Sequence, residues 1–432
     1  MNARRRDRRV YLGSHPVLFA LLALGRCRPV LRLGGTLLVN DRAAYLAALT
    51  RVPLDRTAAG TTGGAAARLT GGELLFDQHG EEHRRARRAL ADALGASGVA
   101  ELRPVWTAVL ARGLAPLSEG GEVDLVPVAA ELAGATATAL LGVTADPVVL
   151  ADAARAAGAS AARAHLPGPG RRRAARAAQR AASRLTALTS PGAGPAIPGD
   201  EPTTRPAVCR AEPTTRPAVC GAEPTTGAAP GLAGAGAGLA AMLAAAAVNT
   251  TVSALPRAAA WAADADLWRY ADRPALVDEL LRVTAPTPLL PRIAAGPGDL
   301  FGEAGPPGGL PGDEPDQPTR AAQGPGPGPS GAAPGGCPVQ AGDRLLLITR
   351  HAADAHRSDP DPVAPAPPRV AQLVFGAGPH ACPGARLARA QLADLLVALA
   401  PYRPVVVRAR VDRRAALPGW RSLVVRPTTW CG

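Results

Sequence analysis

Residues 375–384 read Phe-Gly-Ala-Gly-Pro-His-Ala-Cys-Pro-Gly and run directly into an apolar helical pattern of Leu387, Ala388, Leu392, Leu395, Leu396 and Leu399. No other stretch restricts the fold so strongly. Gly376, Gly378 and Gly384 let the backbone turn tightly and come close to another group. Cys382 then falls at the start of a helix, where unpaired N–H groups and the positive end of the helix dipole favour a thiolate. A thiolate held among backbone donors is a ligand for a soft metal. Pro383 follows at once and has no N–H, so the sulfur has one donor fewer and stays electron-rich.

Composition narrows the rest. The chain has 432 residues, 47% of them apolar, which is enough for a large core. Aromatic residues are only 3%, so Ala, Leu and Val must fill that core. All 48 basic residues are Arg, and the formal net charge is +13. Such a balance steers acidic partners or nucleic acid. The Arg171, Arg172, Arg173, Arg176, Arg180 and Arg184 face nevertheless reads as a solvated helix, because no aromatic residues interleave to stack on bases. Cysteines at 27, 209, 220, 337, 382 and 431 form no CxxC pair. A zinc site is therefore not expected, and scattered thiols suit a reducing cytoplasm. Five arginines between Arg4 and Arg9 precede the short apolar run Val17 to Leu24. Arg26 and Arg28 cut that run short and no small-residue cleavage site follows, so it reads as a basic tail before a short helix.

Along the chain, residues 30–49 predict strand, turn, strand and helix, with Gly34-Gly35 at the turn and Asn40 or Asp41 as helix cap. Residues 201–226 carry an eleven-residue repeat of Glu-Pro-Thr-Thr starting at Glu201, Glu212 and Glu223. Its Pro and Thr content cannot build a core. Residues 229–263 hold the longest helical pattern, mostly Ala and Gly in its apolar part, which argues against a membrane span. Pro256 lies inside it, where a kink is expected. Residues 296–337 are rich in Gly and Pro and lack periodicity. One domain over residues 11–428 is expected, with low-complexity inserts at 198–228 and 303–336.

The spacing F-G-x-G-x-H-x-C-x-G-x-x-L-A, from Phe375 to Ala388, resembles the cysteine-ligand loop of the cytochrome P450 family at every fixed position. The resemblance covers about residues 15–425 apart from the inserts. It implies a mainly α fold with small β-sheets, with haem b (iron protoporphyrin IX) lying between a long central helix and the cysteine-ligand loop. Cys382 would be the iron ligand, with Phe375, Gly376, Gly378, His380 and Gly384 shaping its loop. His83 and Arg87, four apart on one helix face, and Arg292, expected on a strand, would hold the haem propionates. Glu279 and Arg282 match the family's E-x-x-R pair, which braces the cysteine loop; Arg369 is the candidate for its third member. In the central helix, Ala244 to Thr251 matches the family segment whose alcohol relays protons, here Thr250. The usual acid before it is Asn249, which can orient water but cannot act as acid or base near neutral pH.

The resemblance implies a monooxygenase that inserts one atom of O2 into a small organic substrate. No flavin or nicotinamide module is visible, so electrons would come from an external ferredoxin and ferredoxin reductase. That donor would dock where Arg84, Arg85, Arg386 and Arg389 add positive potential. Neither nucleic acid nor a membrane is expected as a partner. Asn249 leaves two other readings open, a peroxide-driven haem enzyme and a non-catalytic haem-binding protein.

Overall fold

The computed structural model describes residues 2–428 other than 56, 59, 62, 65–87, 166–170, 191–231, 233–235, 302–336 and 379–380. His83, Arg87 and His380, both expected inserts and Arg84 and Arg85 thus lie wholly or mostly outside the described residues.

The chain opens with α1 (Ala3–Ser14) and α2 (Pro16–Gly25), then β1 (Val30–Leu33), β2 (Thr36–Val39) and α3 (Arg42–Thr50). The hairpin turns at Gly34, whose φ of +58° suits glycine. Asp41 caps α3 by accepting the Ala44 N–H at 3.0 Å. After β3 (Leu54–Asp55) come α4 (Ala96–Leu114), β4 (Val123–Asp124), α5 (Leu125–Leu141), α6 (Pro147–His165) and α7 (Arg171–Thr189). The 28-residue α8 (Ala237–Asp264) is the central helix, and it continues across Pro256. Next are α9 (Pro274–Thr284), β5 (Leu290–Ala294), β6 (Gly298–Asp299), β7 (Pro338–Val339) and β8 (Arg344–Leu347). The chain ends in α10 (Ala385–Leu399), β9 (Val405–Val411) and β10 (Trp420–Arg426).

The main sheet has the order β1-β2-β8-β5-β3, with β2 and β8 parallel and the other neighbours antiparallel. A second sheet runs β4-β10-β9, and β6 pairs with β7 on either side of residues 302–336. The helices share one large core in which Ala, Leu and Val predominate, as the scarcity of aromatics requires. Val252 to Ala262 are all buried inside it. The central helix is long and apolar enough to cross a membrane by length and composition, and half of its most apolar window is buried within the protein.

The N-terminal reading needs correction. Residues 3–14 are not a basic tail but a packed helix, so the expected domain start at residue 11 falls inside a core element. Val10 is fully buried, and Asp7 and Tyr11 nearly so. Asp7 accepts from Arg257 at 2.7 Å and from Arg350 at 3.4 Å, Arg6 pairs with Asp264, and Arg4 pairs with Asp359. Arg4 and Arg6 are therefore paired with acids from remote parts of the chain, while Arg5, Arg8 and Arg9 are exposed. On α7, by contrast, Arg172, Arg173, Arg176, Arg180 and Arg184 are exposed while Ala178, Ala182 and Leu185 are buried, as amphipathic spacing predicts.

Candidate functional site

The cysteine loop is built by positive-φ glycines. A short 3-10 turn, Gln372–Phe375, ends at Gly376 with φ +76°, and Gly378 has φ +70°. A Cβ on Gly378 would also stand 3.2 Å from the Leu49 carbonyl oxygen, so the loop is seated against the end of α3. The Cys382 N–H donates to the Phe375 carbonyl at 2.7 Å, which closes the loop on itself. Cys382 is exposed, and Gly384 caps α10 without a side-chain bond. The thiol therefore sits three residues before a helix whose first N–H groups are not capped by a side chain.

Helix α10 is fixed from two sides. Asp394 accepts from Arg103 at 2.6 Å and from the Trp106 indole at 2.8 Å on α4. Gln391, buried, donates to Thr136 on α5 at 3.0 Å. Arg389 stacks over the Phe375 ring at 4.7 Å and bonds Asp278 at 2.7 Å and Gln372 at 3.1 Å. It is thus half-buried and paired, and the expectation that it adds free positive potential for a docking partner is corrected. Arg386 is exposed.

Glu279 and Arg282 meet on α9 as a bidentate pair at 2.6 and 2.9 Å, each about 2% exposed. Their remaining capacity is spent on one segment. Arg282 donates to the Ala353 and Asp359 carbonyls and to Ser358, while Glu279 accepts the Asp361 and Ala366 N–H groups at 3.0 Å. The pair therefore pins residues 353–366, the stretch that leads into the cysteine loop. Arg369, expected as third member, is exposed; backbone groups and Ser358 fill that place.

Arg292 lies on β5. Its Nε is buried with no hydrogen-bond partner among the described residues, and its Nη1 donates to the Pro291 carbonyl at 2.8 Å. Burial pushes its pKa down from the usual guanidinium value. Its neighbour Tyr45, buried on α3, has its own pKa pushed up to about 12, chiefly by burial. Tyr45 bonds Thr349 at 3.1 Å and the Leu373 carbonyl at 3.3 Å. One short helix thus touches both the residues before the cysteine loop and the strand that carries Arg292. Sequence reasoning missed Tyr45, because a lone Tyr in an apolar helix carries no signal of a polar role.

One face of the central helix is exposed or half-buried at four positions. Ala246 is exposed and Leu243, Ala247 and Thr250 are half-buried, although Ala244, Val248 and everything from Val252 to Ala262 are buried. Those four residues share one face at spacings of three and four. The Thr250 hydroxyl donates to the Ala246 carbonyl at 2.8 Å, leaving its lone pairs available to accept. Asn249 turns elsewhere: its amide donates to Ala154 on α6 at 3.0 Å and to Ala245 at 2.8 Å. Gly158 makes room for it, since a Cβ there would lie 2.6 Å from the Asn249 amide nitrogen.

No protein-family model matches the sequence, and no curated protein matches it either. Solved structures match along nearly the whole chain. P450BioI, in complex with hexadec-9Z-enoic acid ligated acyl carrier protein, is 16% identical with a TM-score of 0.66, covering 96% of this chain and 100% of its own. A mutant of P450 EryK in complex with erythromycin B is 18% identical with a TM-score of 0.63, covering 97% and 98%. CYP109B1 from Bacillus subtilis is 16% identical with a TM-score of 0.62, covering 96% and 100%.

This chain has the cytochrome P450 fold.

The expected mainly α architecture with small sheets is thereby met. In P450 terms the structure brings Glu279, Arg282 and the segment before the Cys382 loop together. Thr250 stands on the open face of the central helix and Asn249 does not share it, being about 100° further round at 3.6 residues per turn.

Proposed function

We propose that the chain is a haem-thiolate monooxygenase acting on a small organic substrate, with electrons delivered by a ferredoxin and its reductase in the cytoplasm. The observation that carries this reading is Arg292. Arg292 is half-buried, and its buried Nε–H has no partner among the described residues; such a donor calls for an acceptor, and a haem propionate, held as an anion, supplies one. The residues present therefore fit haem b. Cys382 would hold the iron through Sγ, and Arg292, with His83 and Arg87 on sequence grounds, would hold the propionates. Phe375, Gly376, Gly378, His380 and Gly384 would shape the loop around the sulfur.

Haem, when bound, supplies the reductive activation of O2. The protein's own groups do the rest. The strip Leu243, Ala246, Ala247 and Thr250 offers small side chains against which an apolar substrate can lie. The Thr250 hydroxyl accepts and passes a proton on that strip. The Glu279–Arg282 pair keeps the cysteine loop in position. Arg386 supplies exposed positive charge for an acidic electron donor. The test is a carbon monoxide difference spectrum of the reduced protein: the long-wavelength band of a thiolate-ligated haem is expected, and Cys382→Ser abolishes it. A protein that stays colourless with haemin, or a band that survives Cys382→Ser, overturns the reading.

Asn249 favours a second reading, a peroxide-driven enzyme. Both N–H groups of its amide are engaged by carbonyls, so it neither titrates nor swings towards Thr250. Product formed with hydrogen peroxide but not with ferredoxin and reductase would select that reading. The same geometry predicts that Asn249→Asp does not repair proton supply. An aspartate carboxylate would face the Ala154 and Ala245 carbonyls with no donor, at a cost of about 1–3 kcal/mol. Chemical denaturation measures it; a midpoint equal to that of the wild type would refute this account of Asn249.

A further inference from the structure

Helix α2 reads Pro-Val-Leu-Phe-Ala-Leu-Leu-Ala-Leu-Gly and carries no polar side chain. A helix that is apolar all round normally lies inside a core. Only the inner side of α2 does so. Leu22 packs with Leu38 and Ile348, with Leu18 and Phe19 beside them. Phe19 also meets the Tyr11 ring edge-on at 5.0 Å. These contacts fix which way the helix faces. The other side stands in solvent: Val17 is 72% exposed, Leu21 58% and Leu24 75%, and Ala20 is exposed with them. At 3.6 residues per turn the four lie within an arc of about 100°.

Two features of this face say what covers it. The first is symmetry. An antiparallel pair of α2 helices, with a two-fold axis between positions 20 and 21, sets Val17 against Leu24 of the second copy and Ala20 against Leu21. The exposed set thus maps onto itself, as an isologous interface requires. Each contact matches a smaller side chain with a larger one, so the layers can interdigitate.

The second is charge. Arg26 and Arg28 are exposed just past the end of α2, and no acid occurs between Asp7 and Asp41. A parallel pair would set these arginines against their own copies. The antiparallel pair would carry Arg26 to the level of His15 of the second copy, about 16 Å along the axis from that copy's own Arg26. That separation exceeds the Debye length of about 8 Å at physiological salt. There it would meet the C-terminal end of α1, the negative end of a helix dipole, and α1 has no basic residue in its own last turn. Burial lowers the His15 pKa, so the neutral ring does not repel the arriving guanidinium.

We propose that α2 is the contact helix of a homodimer, packed antiparallel on α2 of a second copy through Val17, Ala20, Leu21 and Leu24. A ten-residue helix is a small interface beside the roughly 800 Å² per partner that stable complexes bury. The association is therefore reversible and concentration-dependent. This inference does not depend on haem, so its failure leaves the proposed function standing, and the reverse.

The experiment is sedimentation velocity of the purified, haem-loaded full-length chain over a series of concentrations. A monomer–dimer equilibrium is expected. L21E/L24E changes two exposed side chains and is expected to raise the dissociation constant at least about tenfold. Thiol cross-linking reads the geometry. A mixture of Val17→Cys and Leu24→Cys chains, treated with a short bismaleimide, is expected to join position 17 of one copy to position 24 of the other, as mapped by mass spectrometry of the peptides. Val17→Cys alone is expected to give little product, because the two copies of position 17 lie about 10 Å apart along the axis. A chain that is monomeric at every concentration, a dimer unchanged in L21E/L24E, or a dominant link between the two positions 17 would each overturn the proposal. Should the monomer instead float with phosphatidylglycerol vesicles, the face belongs to a bilayer and the proposal fails as well. The concentration series needs no variant, so a monomer overturns the proposal even if a variant fails to fold.

Discussion

Arg282→Ala is expected to lower the unfolding free energy by about 3–5 kcal/mol, the usual cost of stripping one partner from a buried ion pair. The purified variant is also expected to carry no haem. The cost is large because Glu279 would remain about 2% exposed, charged, and bonded only to the Asp361 and Ala366 N–H groups. Arg282 also holds the Ala353 and Asp359 carbonyls and Ser358, so its loss frees residues 353–366 from α9 as well. That segment leads into the Cys382 loop, which couples a stability defect to a binding defect. Globular domains retain only about 5–15 kcal/mol in total, so the variant has little margin left. Arg112→Ala is the control: its pair with Glu131 is largely exposed, and such pairs contribute about 0–1 kcal/mol. Urea unfolding and the haem absorbance of the purified proteins are the readouts. Matching midpoints for Arg282→Ala and Arg112→Ala would refute this account.

The elements that the sequence revealed are those whose signal is local. Gly34-Gly35 between alternating runs marked a hairpin, Asn40 or Asp41 a cap, and the E-x-x-R spacing a pair on one helix face. Each depends on residues within four positions of one another, so a single sequence suffices. The glycines of the cysteine loop were legible for the same reason, since φ of +76° and +70° at Gly376 and Gly378 excludes most side chains. What stayed hidden depends on long-range contact. Arg389 looked like free surface charge because Asp278 and the Phe375 ring lie far away in sequence. Asn249 stood at the usual acid position as a residue able to orient water, but its partner Ala154 is 95 residues away and contributes only a backbone carbonyl.

Asp7→Ala is expected to destabilise the protein as severely as Arg282→Ala, by about 3–5 kcal/mol, although it lies in a run of arginines that reads as a tail. Asp7 is 4% exposed and Arg257 is 1% exposed. Arg257 bonds Asp7 through Nε at 2.9 Å and Nη2 at 2.7 Å, and Arg350 approaches the other carboxylate oxygen at 3.4 Å. The Tyr11 ring stacks on both guanidiniums, at 4.5 and 4.0 Å from its centre. Its hydroxyl donates to the Thr284 carbonyl at the end of α9. One carboxylate therefore balances two cations inside the protein and joins α1, the central helix and the segment that follows β8. Removing it strands a fully buried guanidinium, which cannot shed its charge as an acid or a histidine would. The double variant Asp7→Leu with Arg257→Met is expected to be more stable than Asp7→Ala alone, because removing a buried pair together leaves no orphan charge. Urea denaturation of the three proteins tests the point, with Arg4→Ala, whose partner Asp359 is exposed, as the milder case. If Asp7→Ala unfolds at the wild-type midpoint, α1 is not the clamp that its buried aspartate implies.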